Sequence, residues 1–171
     1  NRDGTCGFGG CIFCSEKGSG EHINSTLSIS NQVKNYFSTY KANRANKFIA
    51  YFQNFSNTYG CPEVLIKKYN EAINEKDVVG IAIATRPDCI DDDCLNYLEE
   101  LSKKTYLTIE LGLQTIHEET SRFINRGHDL ECFVNTVNKL RERNINVVVH
   151  IINGLPYETK EMMIETAKYL Y

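Results

Sequence analysis

The densest reactive chemistry lies at the start of the chain, in NRDGTCGFGGCIFC, residues 1–14. Cys11 and Cys14 form a C-x2-C pair, and Cys6 precedes Cys11 with four residues between them. Gly4, Gly7, Gly9 and Gly10 mark the stretch as a loop, whose backbone N–H groups can approach an anion or a sulfide. Thiolates at such spacing can share one metal centre. On the residues alone three readings are open: three Cys on an iron–sulfur cluster with one open iron, three Cys with a nearby His22 on structural zinc, or a glycine loop with free thiols. The seven cysteines, at 6, 11, 14, 61, 89, 94 and 132, cannot all pair. Cys61, Cys89, Cys94 and Cys132 sit in apolar or helical patterns and read as small buried hydrophobes or surface thiols. This usage fits a reduced, cytoplasmic protein.

Other polar candidates sit at or near the ends of apolar runs. Gln53, Asn54 and Phe55 follow FIAYF, where a turn closed by Asn and Ser side chains is the bland alternative. Arg86 and Asp88 end the next run, placed to meet a polar ligand or each other. Glu110 interrupts an apolar run, where a carboxylate is costly unless paired. Arg126-Gly127 reads, on its own, as a helix end. His150 reads equally as a satisfied core histidine or a ligand contact. Lys34, Lys41, Arg44 and Lys47 make a mild basic stretch, either a solvated helix face or a contact for RNA phosphates.

Four strand-like runs must position these residues: Phe48–Phe52, Val78–Thr85, Tyr106–Leu113 and Val147–Ile152. The first, second and fourth are nearly continuous in apolar residues, which predicts burial on both faces. Between them lie helical stripes: Val33, Tyr36, Phe37 and Tyr40; Leu65, Tyr69, Ala72 and Ile73; Cys94, Tyr97, Leu98 and Leu101; Phe133, Val137 and Leu140. Pro62 suits a first helical position, and Asp91, Asp92 and Asp93 suit a helix N-terminus. Strand starts roughly 30, 28 and 40 residues apart are the period of βα units, which imply a parallel sheet with right-handed crossovers. A full eight-unit barrel needs about 250 residues. The fold class expected is therefore α/β, a partial TIM-type barrel truncated at both ends, with a doubly wound open sheet as the alternative. The chain reads as one domain, a piece of a longer protein.

Composition narrows the partners. With 171 residues, 42% hydrophobic and a net charge of −3, the chain is an ordinary globular one without a global basic excess for nucleic acid. Its longest apolar runs fall far short of the roughly 20 residues that a membrane-spanning helix needs.

The cysteine loop at the head of successive βα units resembles the radical S-adenosylmethionine (SAM) enzymes, and more closely the YhcC-like bacterial proteins of that class. The resemblance rests on NRDGT…GGCIFC at 1–14, YFQNFSNTYG at 51–60, ATRPDC at 84–89, ELGLQT at 110–115, INRGHD at 124–129 and HIINGLP at 150–156, in order. The TRPD, ELGLQ and RGH elements also resemble the radical SAM domain of the Elongator catalytic subunit. The run from Gln114 to Pro156 resembles oxygen-independent coproporphyrinogen oxidases. The resemblance implies a partial (βα)6-like barrel holding a 4Fe–4S cluster and S-adenosylmethionine. Cys11 and Cys14 become cluster ligands; the first ligand of the family lies in a Cys-Pro just before Asn1, which makes Cys6 a bystander. Gln53 and Asn54 stand where a Gly-Gly-Glu pattern holds the methionine amino group, a departure from the family. Glu110 and Gln114 fall on the strand that contacts the ribose and methionine parts of SAM, and Arg86 borders that cleft. Arg126 is expected to bind the SAM carboxylate as a bidentate donor, and the turn at Gly154 to offer backbone contacts to adenine. His150 stands where related enzymes carry Asp. The class implies an external electron donor of flavodoxin or ferredoxin type. A tRNA wobble uridine or a small molecule is the expected substrate, and no membrane is involved.

Overall fold

The computed structural model describes residues 8–15, 18 and 24–171. Four strands, β1 (Phe48–Phe52), β2 (Val78–Thr85), β3 (Tyr106–Gln114) and β4 (Asn146–Ile151), pair in parallel in the order β1-β2-β3-β4. Helices α1 (Ile29–Phe37), α2 (Pro62–Ile73), α3 (Asp92–Ser102), α4 (Glu118–Phe123), α5 (Leu130–Glu142) and α6 (Lys160–Leu170) alternate with them. Sequential strands are spatial neighbours throughout, so the sheet grows by one strand per βα unit. Among the described residues neither β1 nor β4 has a second neighbour. The sheet is thus an open arc, the partial TIM-type barrel expected from the sequence.

Local signals place the helices. Pro62 occupies the first turn of α2, where its missing N–H is not needed. The Asp91 carboxylate accepts from Cys94 N–H at 2.8 Å to start α3, and Asp129 accepts from Cys132 N–H at 2.8 Å to start α5. The helices then cover one face of the sheet. Tyr69 of α2, Leu95, Leu98 and Leu101 of α3, and Phe133 and Leu140 of α5 pack on Ile81, Ile83, Leu107, Ile109, Leu111 and Leu113. Each such side chain contributes roughly 1.5–3 kcal/mol when fully buried, so this layer holds most of the fold's stability.

Two sequence expectations are corrected. β1 and β4 are not buried on both faces: Ile49, Tyr51, Val148 and His150 are exposed, while Phe52, Val147 and Val149 pack against the core. As outer strands of the arc they have one face under helices and one open. The helix expected to reach Tyr40 stops at Phe37. There Ser38 Oγ donates to Asn35 O and Thr39 Oγ1 to Tyr36 O, both at 2.7 Å, and these hydroxyls compete with the helical pattern. Tyr40–Arg44 forms a 3₁₀ turn instead.

Candidate active site

Side chains alternate along a strand. Since Ile81, Ile83, Ile109 and Leu111 face the helices, the register puts Tyr51, Ala82, Ala84, Glu110, Gly112, Val148 and His150 on the opposite, inner face. Ala82 and Ala84 leave room over β2, and the Tyr51 ring crosses it to donate from its hydroxyl to Glu110 Oε2 at 2.7 Å. From the other side His150 Nε2 lies 2.7 Å from the same oxygen. A carboxylate only accepts, so that nitrogen carries the proton. Two donors resolve the cost of placing Glu110 in an apolar strand. Burial, with the Glu110 hydrogen bond adding to it, pushes the Tyr51 phenol up to about 12. His150 keeps 48% of its side-chain surface exposed, so it is not a core histidine.

The C-terminal rim of the sheet carries the other candidates. The β3–β4 register slips between Gly112 and Gln114, and Gln114 adopts φ 66°. Such bulges re-aim side chains at barrel rims. Here Gln114 folds back over Gly112, where an added Cβ would lie 2.4 Å from the Gln114 amide nitrogen. Arg86 and Asp88 meet each other: Arg86 Nε donates to Asp88 Oδ1 at 2.9 Å and Nη2 to Oδ2 at 2.6 Å. Gln53 is exposed after β1, and Asn54 lies against Gly18. The turn after them is closed by Asn57, whose amide donates to Phe52 O and Ala84 O, both at 2.9 Å. Gly154 follows β4 with its N–H on Met163 Sδ at 3.1 Å, and nothing lies within 4 Å of where its Cβ would be. The basic stretch is partly neutralised: Lys34 pairs with Glu75 at 3.3 Å and Lys47 with Asp77 at 2.9 Å.

The cysteine loop docks on the turn after α4. Ile12 N–H donates to Ile124 O at 3.0 Å, and Cys11 Sγ sits 3.9 Å from Arg126 O. Cys14 N–H donates to Cys11 O at 3.1 Å, which turns both thiols into one short arc. Burial raises the Cys11 thiol pKa, the neighbouring Cys14 adds to the rise, and Arg86 opposes it. Cys6 and His22 lie outside the described residues. Among the described residues no three His, Cys, Asp or Glu side chains converge as a complete metal site. Cys11 and Cys14 fit two positions of a thiolate-held cluster, since soft sulfur ligands on a glycine loop suit iron–sulfur chemistry.

Arg126 corrects an expectation. It is not an open fork for a carboxylate but 2% exposed. Its Nε donates to His128 O at 2.8 Å, Nη1 to Leu113 O at 2.8 Å and Thr115 O at 2.6 Å, and Nη2 reaches Glu118 Oε1 at 3.4 Å. A buried cation must be compensated in this way, and the result fastens the turn to the end of β3. His128 Nε2 lies 3.1 Å from Gly112 O on the same strand. Burial and the Arg126 charge hold the His128 imidazole below its usual range.

A thiol pair at the C-terminal rim of a parallel arc, above an open polar face, is where comparison decides. The model of the radical SAM superfamily matches residues 4–170. The chain belongs to the radical SAM superfamily. Members of this superfamily use a 4Fe–4S cluster and S-adenosylmethionine. The uncharacterized protein YtqA of Bacillus subtilis is 52% identical over 98% of this radical SAM chain and 53% of its own length. Protein YhcC of Escherichia coli is 38% identical over 97% of this chain and 53% of its own. The chain therefore spans about half the length of the curated relatives it matches. A tRNA uridine(34) acetyltransferase of Methanocaldococcus jannaschii is 31% identical over 56% of this chain and 17% of that protein. Among solved structures, archaeal Elp3 of Methanocaldococcus infernus superposes with a TM-score of 0.70 at 21% identity, covering 84% of this chain and 38% of that one. This last likeness supports the fold.

Two residues of this candidate site were not singled out from the sequence. Tyr51 stands among Phe, Ile and Ala, where its hydroxyl was the available signal. Asn125 follows a short helix, and Asn is a residue that tolerates the left-handed backbone.

Proposed function

We propose that this chain is the SAM-binding core of a radical SAM enzyme that acts on a tRNA wobble uridine. The observation that carries the reading is the juxtaposition of the Cys11–Cys14 loop, at the strand ends, with an open inner face carrying Tyr51, Glu110 and His150. When bound, a 4Fe–4S cluster would supply the single electron for reductive cleavage of SAM and so the radical chemistry of the superfamily. Cys11 and Cys14 provide two thiolate ligands, with a third from outside the described residues. Ala82, Ala84 and Gly112 keep the inner face low enough for a ligand to lie on it. Glu110, oriented by Tyr51 and His150, offers an acceptor for ligand hydroxyls, and Gln114 reaches over the rim with an amide. Gln53 and Asn54 flank β1's end, Arg86 with Asp88 closes the neighbouring end of β2, and the open edge at Gly154 suits a flat base. Arg126 acts from beneath by fixing the turn and β3 together.

The tRNA assignment draws support from the relative named as a tRNA uridine(34) acetyltransferase. An external flavodoxin- or ferredoxin-type donor in the cytoplasm completes the proposal. Nucleoside analysis of tRNA from cells lacking the protein tests it. The expected result is a changed wobble-uridine modification, restored by the parent gene and not by Cys14→Ser. Unchanged tRNA nucleosides, with a small molecule consumed by the purified enzyme instead, would overturn the substrate.

A further inference from the structure

The turn after α4 holds more than its helix. Asn125 adopts φ 52°, a left-handed backbone conformation, at the end of α4. Its amide nitrogen donates to Phe8 O at 2.7 Å and to Gly10 O at 2.8 Å, 117 and 115 residues away in sequence. Those carbonyls lie just before Cys11. The residues on either side of Asn125 complete the grip: Ile124 O accepts from Ile12 N–H, and Arg126 O lies against the Cys11 thiol. Arg126 and His128 in turn reach the carbonyls of Leu113, Thr115 and Gly112 around the β3 bulge. One short turn therefore touches both the thiol loop and the strand that presents Glu110 and Gln114.

We propose that Asn125 is a positioning residue for the cluster loop: its side-chain amide, aimed by a left-handed backbone, clamps residues 8–10 and so fixes the Cys11 and Cys14 thiols relative to the end of β3. The thiol placement stands on these contacts alone; its consequence for a cluster rests on the radical SAM reading above. The clamp needs both amide hydrogens, one for each carbonyl. Aspartate would keep the left-handed backbone and the shape while replacing the donor with an acceptor opposite two carbonyl oxygens. Glycine would keep the backbone and remove the side chain. Two hydrogen bonds of ordinary net strength correspond to roughly tenfold or more in the loop's docking equilibrium.

The test compares full-length protein carrying Asn125→Asp or Asn125→Gly with the parent. In metal-free protein, iodoacetamide labelling read by peptide mass spectrometry should show Cys11 reacting roughly tenfold faster in both variants. Buried Cys89 should keep its parental rate and so report an intact core. After anaerobic reconstitution, both variants should release iron to a chelator faster and show a shifted electron paramagnetic resonance signal of the reduced cluster. Parental Cys11 labelling and parental iron release would overturn the clamp, and so would equal deprotection of Cys11 and Cys89, which means global unfolding. Faster Cys11 labelling in a parent background that takes up no iron and sulfide would support the clamp while overturning the cluster.

Discussion

The two faces of the sheet are built on opposite terms. The helix face is a continuous layer of Ile and Leu, with Ile81, Ile83, Ile109, Leu111 and Leu113 each at 0% exposure. The inner face is low, open and polar, made of Ala82, Ala84 and Gly112 between Tyr51, Glu110 and His150. One face supplies stability through contacts that any well-packed hydrophobe could make. The other holds hydrogen-bonding groups at fixed distances and contributes little to stability. Positive φ occurs at both ends of the strands, at Asp77 and Asn144 before β2 and β4 and at Gln114, Asn125 and Tyr157 on the C-terminal rim. Such conformations persist only where the surroundings impose them.

This difference predicts separable losses. Cys11→Ser and Cys14→Ser should abolish cluster retention, measured as iron and sulfide per chain, while the urea midpoint of the metal-free protein barely moves. Intact cluster content in either variant would break the ligand assignment. Leu111→Ala on the helix face should cost about 2–5 kcal/mol in urea unfolding, the range for emptying a packed core site. Tyr51→Phe, which removes one exposed hydrogen bond on the inner face, should cost no more than about 1.5 kcal/mol. Equal losses would erase the distinction between the faces.

Two glycines sharpen it further. A Cβ at Gly80 would meet the Tyr106 carbonyl at 2.9 Å, so Gly80→Ala must shift backbone and should cost about 1–3 kcal/mol. A Cβ at Gly112 meets only the flexible Gln114 amide, which can swing aside. Gly112→Ala should therefore leave the melting temperature nearly unchanged and weaken SAM binding in calorimetry. The smallest effect is a titration. The Tyr51 phenol ionises near 12 rather than near the usual 10. Its neutral form is favoured in the fold, so this contribution is complete below about pH 10 and is lost as pH rises through about 12. Burial also raises the Tyr69 and Tyr97 phenols, so the Tyr51 signal is read by difference: a late-titrating component of the phenolate absorbance should vanish in Tyr51→Phe and move earlier in Glu110→Gln.

The parts legible in the sequence were those fixed by neighbours a few residues away. The β2 run, Pro62 in the first turn of α2 and the Asp91 cap all follow from local rules, and so does the βα period. Burial of β1 and β4 was misread because an apolar run does not say whether its strand lies inside the sheet or at its margin. Glu110 was recognisable as costly, but its partners Tyr51 and His150 sit 59 and 40 residues away and meet it only through strand register. Arg126 was legible as a motif residue, yet its role reversed once Leu113, Thr115, His128 and Glu118 were seen to surround it. Asn125 stands in the same INRGHD motif, but its role was not legible, since its acceptors Phe8 and Gly10 lie at the far end of the chain.

The cysteine loop and the inner face are proposed to support radical SAM chemistry together. Full-length protein, reconstituted anaerobically with iron and sulfide, should yield 5′-deoxyadenosine from S-adenosylmethionine in the presence of a strong reductant, measured by liquid chromatography and mass spectrometry. The expected result is one 4Fe–4S cluster per chain and 5′-deoxyadenosine formation that disappears in Cys14→Ser. Tightly held zinc in place of the cluster, with no 5′-deoxyadenosine after reconstitution, would contradict it and leave a zinc-stabilised binding module.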